Sequence, residues 1–294
     1  MNHNAILQTS LHIPGITLFK KGKVRDVYDL GEHLLIVSTD RLSAFDVIMN
    51  EPIPEKGKIL TKISQFWFEK LKSVAPNHFV TTDIFSYRPE LGQERQQLED
   101  RSMIVKKAQM IPYECIVRGY LLGSAYRDYQ KTGTIAGYPL PKGLEKGSKL
   151  DTPIFTPSTK ADVGHDENIH FDKMKEDIGE TAELLQKYSL EIFQKASDFA
   201  LTKGIIIADT KMEFGLVNDQ IIVIDELFTP DSSRFILKKD YDQGRIDRSM
   251  DKEFIRSYLS TLNWDQKPPP PPLPDEVVQK TKERYHEIAD RLLS

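Results

Sequence analysis

The chain has 294 residues, enough to bury a sizeable core as one large domain or as two packed lobes. Hydrophobic residues make up 39% of the chain and charged residues 29%, which excludes wholesale disorder. The formal net charge of −4 argues against general nucleic-acid binding, which favours a basic surface, but it allows one basic pocket for a phosphorylated metabolite.

The low cysteine content, with no visible targeting signal, predicts a cytoplasmic protein. Cys115 is the single cysteine, so neither an intramolecular disulfide nor a cysteine zinc cluster can form. It lies in an apolar run at residues 115–117, which predicts a buried thiol rather than a nucleophile. His165 and His170 lack the HExxH spacing, so we expect no zinc site. No signal peptide and no bilayer-spanning stretch is visible, so we expect neither a membrane nor a nucleic-acid partner, and the sequence predicts no oligomeric state.

The first third of the chain is predicted to be rich in strands, with one long helix. Apolar side chains recur at helical spacing from Leu60 to Val74, and the helix ends before Pro76. Many strands with few helices favour an α+β fold over a doubly wound sheet. Strands are expected over residues 24–30, 34–38, 47–49, 79–82 and 103–107.

The middle of the chain combines a strand, two helices and a long irregular segment. A strand over residues 114–120 leads into a helix that Ser124 is placed to cap and that stops near Gly133. Residues 134–170 are rich in Gly, Pro and Thr without clear periodicity, which is typical of a functional or disordered loop. A long helix follows, and Gly204 closes it.

The last third begins with a predicted hairpin. Its strands cover residues 205–210 and 221–225, and further on Asp251 can cap a helix that runs to Leu262. The five prolines at residues 268–272 favour a polyproline II spacer over a ligand for an aromatic groove. One apolar stripe then predicts a C-terminal helix packed on the core, through Val278, Thr281, Tyr285, Ile288 and Leu292.

The strongest chemical signal is the segment ADTKMEFG at residues 208–215. As a strand, it would place Asp209, Lys211 and Glu213 on one face, because side chains alternate along a strand. On a surface strand this would be a solvated charged ladder. The three isoleucines at residues 205–207, however, predict a strand that is buried on both sides. Buried charges are costly unless they are paired or bound to metal, so we interpret this segment as a site.

The turn of the hairpin decides which carboxylate faces Glu213. A two-residue turn at Asn218 and Asp219 would place Glu213 opposite Ile224, whereas a three-residue loop would place it opposite Asp225. A magnesium site on Glu213 and Asp225 therefore predicts the longer loop or a bulge. Two carboxylates with several waters suit this hard ion, which is usually shared with substrate phosphates.

Three other groups remain open between a site and an ordinary surface. The basic run at residues 19–28, with Gly22, can cover phosphates or can be a solvated turn. Arg118, at the end of an apolar strand, suits a phosphate or carboxylate ligand and a structural ion pair about equally. Residues 231–233 can form an ordinary turn, and Arg234 can be a surface ion pair.

Taken in chain order, these motifs resemble the SAICAR synthetase family, in a longer form with an insertion at about residues 129–170. Single motifs are modestly specific, whereas their ordered combination is highly specific. The proline run lies outside the resemblance. The matching segments are GKVRDVYDL (22–30), DRLSAFD (40–46), MIPYECIVRGYLLGSAY (110–126), GTIAGYPLPKGL (133–144), PIFTPSTKADVGHDENI (153–169), ADTKMEFGL (208–216) and DELFTPDSSR (225–234).

The resemblance implies a two-lobed α+β fold with antiparallel sheets flanked by helices and an ATP cleft between the lobes. Residues 1–109 would form a β-rich lobe that covers the ATP phosphates, and residues 110–294 an α+β lobe with the substrate and metal site. The implied reaction joins L-aspartate to the carboxylate of the nucleotide CAIR through an acyl phosphate, giving SAICAR, ADP and phosphate in de novo purine biosynthesis. ATP and Mg²⁺ would be required.

Two alternatives are a ligase for another pair of acid and amine, and a non-catalytic nucleotide-binding regulator. The regulator predicts that charged positions are missing, yet all of them are present. The resemblance assigns catalysis to Lys211, Asp209 and Arg118. It assigns ATP binding to Lys21, Gly22, Lys23, Lys107, Gln109, Met110 and Glu114. It assigns substrate binding to Arg118, Ser124, Asp231, Arg234 and Ser43, and magnesium binding to Glu213 and Asp225.

Overall fold

The computed structural model describes residues 5–160 and 167–294. The elements up to residue 106 are β1 (Thr17–Lys21), β2 (Arg25–Asp29), β3 (His33–Ser38), β4 (Ser43–Ala44), β5 (Val47–Ile48), α1 (Lys56–Leu71), β6 (Phe79–Thr81), α2 (Ile84–Tyr87), a 3₁₀ helix (Pro89–Glu94), α3 (Arg95–Leu98) and β7 (Ser102–Lys106).

The second group of elements begins at residue 109. It comprises β8 (Gln109–Tyr120), α4 (Gly123–Thr132), β9 (Thr134–Ile135), β10 (Tyr138–Pro139), β11 (Lys149–Phe155), β12 (Ser158–Thr159), α5 (Phe171–Ile178), α6 (Glu180–Thr202), β13 (Ile205–Val217), β14 (Gln220–Ile224), β15 (Ser233–Leu237), α7 (Lys238–Tyr241), α8 (Glu253–Leu259) and α9 (Asp275–Leu293).

Two antiparallel sheets organise the chain, as the α+β prediction required. The smaller sheet has the order β1-β2-β3-β7-β6. The larger sheet has the order β11-β8-β13-β14, and in addition β12 pairs with β8 and β15 pairs with β13. Strand β13 therefore has neighbours on both sides along most of its length, which agrees with the burial expected from its isoleucine run.

One apolar core connects the two sheets. It includes Ile36 of the smaller sheet, Phe214 of the larger sheet, Trp67 of α1 and Tyr285 of α9, all buried. Helix α1 packs against α9 and α6, so the first and last long helices of the chain meet in this core. The predicted burial of Cys115 and of Thr281, Tyr285, Ile288 and Leu292 in the C-terminal stripe is confirmed, whereas Val278 is half-buried. No helix in the described ranges is long and apolar enough to span a membrane.

The segment from residue 134 to residue 170 is more ordered than its composition predicts. Strands β9 to β12 lie in its described part, and β11 pairs with β8, with Phe155 opposite Val117. These strands depend on partners distant in sequence, which local periodicity does not reveal. His165 lies outside the described residues, whereas His170 stacks on Tyr138 with ring centroids 4.8 Å apart. Strand β1 was not predicted because all of its side chains are exposed and no buried face marks it.

The predicted helix caps are only partly correct. Helix α4 begins at Gly123, so Ser124 lies in its first turn and is not the cap. Gly123 has a positive φ of 57°, and a Cβ there would lie 2.3 Å from the Arg234 guanidinium, so the chain must turn at a glycine. Asp251 does accept a hydrogen bond from the main-chain nitrogen of Glu253 at 2.7 Å, but α8 ends at Leu259 rather than at Leu262.

Gly57 fixes how closely α1 approaches β3. Its nitrogen donates to Asp40 Oδ1 at 2.9 Å, and a Cβ at this position would lie 2.0 Å from the carbonyl oxygen of Ser38. We predict that Gly57→Ala lowers the free energy of unfolding by about 3 kcal/mol, because the helix must move away from the sheet. Urea unfolding measures this loss. Gly92→Ala is the matched control, since a Cβ there meets nothing within 4 Å, and an equal loss in both variants would contradict the prediction.

Candidate active site

A cavity of about 1030 Å³ is lined by side chains from both sheets. Strands β2, β3 and β7 line it on one side, and β8, β13 and the segment after β14 on the other. Thirteen of the predicted site residues line it, namely Gly22, Lys23, Ser43, Met110, Glu114, Arg118, Ser124, Asp209, Lys211, Glu213, Asp225, Asp231 and Arg234.

Strand β13 places its charges in this cavity as predicted. Asp209, Lys211 and Glu213 line the cavity, while Met212 and Phe214 on the opposite face are fully buried in the core. Asp209 and Glu213 are themselves buried. The alternation of side chains along β13 therefore delivers two carboxylates and one ammonium to the same space.

Lys211 is surrounded by carboxylates. Its Nζ lies 2.5 Å from Glu114 Oε1 and 3.5 Å from Glu213 Oε1, and Lys160 is hydrogen-bonded to the other oxygen, Glu213 Oε2. Burial lowers the pKa of Lys211, but Glu213 and Glu114 raise it more, so the net pKa lies above the ordinary value. The ammonium therefore remains charged at any physiological pH.

Arg25, on β2, lines the cavity and links the two sheets. Its Nη2 donates to Asp225 Oδ2 at 2.7 Å and to Glu226 Oε1 at 3.2 Å. Burial raises the pKa of Asp225, but Arg25, Lys211 and Lys160 lower it, and the result lies below the ordinary value. Asp225 is thus an ionised carboxylate surrounded by cations.

The hairpin register contradicts one prediction of the magnesium hypothesis. Asn218 and Asp219 form a two-residue turn with positive φ angles of 48° and 62°, so Glu213 lies opposite Ile224 and the predicted longer loop is wrong. Two consecutive residues with positive φ suit the tight turns that match strand twist. Asp225 follows the end of β14 with a φ of 72°, which takes it out of the strand alternation.

Asp225 and Glu213 both act on Arg25, Asp225 through an ion pair and Glu213 through its charge alone. Asp225, Glu226 and Glu213 all raise the pKa of Arg25, against the lowering caused by its burial. Within residues 5–160 and 167–294, no group of three or more His, Cys, Asp or Glu side chains is arranged to hold a metal ion. Glu213 and Asp225 are two carboxylates that line one cavity, and Mg²⁺ is an ion that takes one or two carboxylates from a protein together with waters and substrate phosphates.

Two arginines flank Asp209 in another part of the cavity. Arg234 Nη1 lies 2.7 Å from Asp209 Oδ2, and Arg118 Nη1 lies 3.8 Å from the same oxygen. Arg118 also donates to Thr156 Oγ1 at 3.0 Å and to Ser124 Oγ at 3.4 Å. The Nε of Arg234 is buried and has no hydrogen-bond partner among the described residues. Two fixed guanidinium groups with a hydroxyl beside them suit a phosphate or a carboxylate.

Asp231 binds three side chains that the sequence did not predict as its partners. Its side chain is 1% exposed and accepts from Lys56 Nζ at 2.7 Å, while Lys252 Nζ lies 3.1 Å away. Tyr285 of α9 donates to its other oxygen at 2.9 Å. Burial raises the pKa of Asp231, but the two lysines lower it well below the ordinary value. This carboxylate anchors the segment after β14 to α1, α8 and α9.

The predicted nucleotide residues divide into two groups. Gly22, Lys23, Met110 and Glu114 line the cavity, and Lys23 is paired with Asp46. The remaining three do not line it. Lys21 Nζ lies 3.4 Å from Gln8 Oε1, Lys107 is bonded to Asp29 at 2.8 Å, and Gln109 is exposed at the start of β8.

Several charged or titratable cavity residues received no role in the site from the sequence. Lys20 and Arg25 belong to the basic run at residues 19–28, and Lys160 lies inside the segment at residues 153–169 that resembles the family, but no spacing rule singled out these side chains. The cavity residues of this kind are Lys20, Arg25, Asp46, His78, Lys106, Lys160, Glu226, Asp251, Lys252 and Arg256.

Comparison with known proteins identifies the family. A family model described as SAICAR synthetase matches residues 18–271. Phosphoribosylaminoimidazole-succinocarboxamide synthase of Geobacter sulfurreducens is 55% identical over 281 residues, covering 95% of each chain, and that of Geobacter metallireducens is 53% identical over 291 residues, covering 98% of each. A solved SAICAR synthase of Saccharomyces cerevisiae, complexed with SAICAR, has a TM-score of 0.86 and 40% identity over 98% of both chains. The chain belongs to the SAICAR synthetase family, the ligases that catalyse an ATP-dependent step of purine biosynthesis.

Proposed function

We propose that the cavity activates the CAIR carboxylate with ATP and couples it to the amine of L-aspartate, in two steps at one place. The observation that supports this most directly is that the two predicted groups of charges share one cavity. Glu213, Asp225 and Lys211 lie at one part of it, and Arg118 and Arg234 at another. A nucleotide held by its phosphate at the arginines can thus present its carboxylate to the other group.

In the first step an oxygen of the CAIR carboxylate forms a bond to the γ-phosphorus of ATP. The bond from that phosphorus to the bridging oxygen breaks, and its electron pair leaves with ADP. In the second step the amine nitrogen of aspartate bonds to the activated carbon, the carbon–oxygen bond to phosphate breaks, and the nitrogen loses a proton to water. Positioning and charge neutralisation account for most of the catalysis in such phosphoryl transfers.

Lys211 is proposed to neutralise the charge that moves in the first step. Its ammonium is fixed by Glu114 and Glu213, so little side-chain freedom has to be lost when the phosphoryl group arrives. Glu213 and Asp225 would hold Mg²⁺, which would supply Lewis-acid stabilisation of the phosphate charge. Asp209 is proposed to orient Arg118 and Arg234, since its Oδ2 faces both guanidinium groups.

The ATP phosphates are proposed to lie under the turn at Gly22 and Lys23, at the cavity edge formed by the smaller sheet. Met110 would contact the base. The roles proposed for Lys21, Lys107 and Gln109 rest on the family resemblance alone.

Residues 1–109 and 110–294 are proposed to form two lobes, with ATP bound between them. Ser43 would border the aspartate site, and Asp231 would act by holding Arg234's segment in place.

The cytoplasm is the proposed site of action. The single thiol, Cys115, is buried, and burial raises its pKa above the ordinary value, so it is a poor nucleophile and the chain does not depend on a disulfide. A reducing compartment therefore suits the protein.

The first test measures ADP formation with ATP and Mg²⁺ while CAIR and L-aspartate are added singly and together. We predict that rapid ADP formation requires both, because the acyl phosphate is consumed only by the amine, and that mass spectrometry identifies SAICAR. ADP formation with CAIR alone would leave the amine open. No ADP in any mixture from folded, ATP-binding protein would favour the regulator, and turnover of a different acid and amine would favour another ligase.

Glu213→Gln tests the magnesium carboxylate. We predict a loss of turnover of about 10³-fold or more, because the variant keeps the shape of the side chain and removes the charge that attracts the cation. Steady-state kinetics at several Mg²⁺ concentrations measure the loss, and circular dichroism checks the fold. Glu183→Gln is the control, since Glu183 pairs with Lys175 on the protein surface. Activity within twofold of the unmodified chain would refute the assignment of Glu213.

Arg234→Lys tests the phosphate end of the cavity. Lysine keeps the positive charge but loses the planar fork, so we predict that KM for CAIR rises about tenfold or more while kcat changes less. Initial rates at varied CAIR concentration separate the two constants. Arg95→Lys is a suitable control because Arg95 lies outside the cavity, where it pairs with the exposed Glu99 and stacks on Phe85. An unchanged KM for CAIR would place the nucleotide elsewhere.

A further inference from the structure

Lys160 is a cation of the site to which neither the sequence nor the proposed reaction assigns a role. It directly follows β12, whose Ser158 and Thr159 pair with Glu114 and Tyr113 on β8. Its main-chain nitrogen donates to the carbonyl oxygen of Pro112 at 3.1 Å. The backbone is thus attached to the edge of the larger sheet, while the side chain is 23% exposed and lines the cavity.

The ammonium of Lys160 binds Glu213, one of the two carboxylates proposed to hold magnesium. It is hydrogen-bonded to Glu213 Oε2, while Lys211 faces the other oxygen at 3.5 Å. Lys160 is also among the cations that lower the pKa of Asp225, through its charge and without an ion pair to that carboxylate. Of the two proposed magnesium ligands, Glu213 is thus the one that Lys160 contacts.

The two lysines are held differently. Lys211 has a second, shorter contact with Glu114 at 2.5 Å, and it projects from the central strand of the sheet. For Lys160, Glu213 is the ion-pair partner found within the described residues. Lys211 can stay on Glu114, whereas a divalent cation that binds Oε2 of Glu213 would displace Lys160. Its flexible four-carbon stem and compact charge suit a movement of this kind.

We propose that Lys160 is a catalytic residue that exchanges partners: its ammonium pairs with Glu213 and, when a divalent cation binds that carboxylate, moves to the γ-phosphoryl group during transfer. This inference rests on the proposed function. The bond changes remain those of the first step, in which carboxylate oxygen bonds to γ-phosphorus and ADP leaves. Lys160 forms no covalent bond and gives up no proton. It stabilises negative charge on the phosphoryl oxygens.

The exchange predicts opposite effects of one substitution on binding and on catalysis. Lys160→Gln removes a competitor for Glu213, so Mn²⁺, used as a probe without nucleotide, should bind about fivefold more tightly, as measured by electron paramagnetic resonance. The same variant should lose about 10²- to 10³-fold in kcat, with KM for ATP and CAIR within threefold. A purely structural role would not tighten metal binding.

Two further variants complete the test. Lys160→Arg keeps the charge and should return Mn²⁺ affinity to that of the unmodified chain, with kcat about tenfold above that of Lys160→Gln. Lys160→Met replaces Lys160→Gln if that variant fails to fold. Lys175→Gln, which removes an exposed lysine that pairs with Glu183, should change neither quantity.

Either of two results would overturn the proposal. Mn²⁺ affinity that is unchanged or weaker in the neutral variants would show that Lys160 does not compete for the carboxylate. A kcat within threefold of the unmodified chain would show that the ammonium does not act on the phosphoryl group. Failure of the proposed function appears separately, as an unmodified chain that forms no ADP from ATP, CAIR and L-aspartate, and the Mn²⁺ titration would still test the competition.

Discussion

Strand β13 carries Asp209, Lys211 and Glu213 through the middle of the larger sheet, where both carboxylates are buried and the side chain of Lys211 is 35% exposed. An uncompensated buried charge costs several kcal/mol, so each of the two carboxylates requires a partner of opposite sign. The partners of the three side chains come from other elements: Arg234 from β15, Glu114 from β8 and Lys160 from the segment after β12. The requirement to neutralise one strand thus determines which parts of the chain must meet, and they meet around a cavity.

The need to neutralise buried charges also joins the two sheets. Arg25 reaches from the smaller sheet to Asp225 and Glu226, which follow the last strand of the hairpin. A second buried group, Lys56 with Asp231, ties the start of α1 to the segment that leads into Arg234. Breaking a buried pair by removing one partner is far more damaging than its net contribution suggests. The segment after β14 is therefore held at both ends by charges from elsewhere in the chain.

The sequence predicted correctly those features that depend on a local pattern of residues. It did not predict the features that depend on contacts with residues distant in sequence. Alternation along β13 was read correctly because a period of two is visible in ADTKMEFG, and the ordered motifs identified the family. The register of the hairpin was not deducible, since a turn at Asn218 and Asp219 allows two loop lengths, and Asp225 reaches the site by leaving the strand. Lys160 and Arg25 follow no periodic pattern. Each neutralises a carboxylate that is distant in sequence, so the residues next to it give no sign of this role.

Charge balance also explains why metal and nucleotide belong together in the proposed reaction. Arg25 contacts Asp225, and Lys160 and Lys211 contact Glu213, so a divalent cation must compete with ammonium and guanidinium groups for the same carboxylates. A nucleotide changes that competition, because its phosphates offer new anionic partners to whichever cation is displaced. Within residues 5–160 and 167–294, Lys160 has one ion-pair partner, whereas Arg25 and Lys211 each have two. In the proposed reaction, the lysines that pair with the carboxylates of β13 would be the same groups that neutralise the phosphoryl group during transfer.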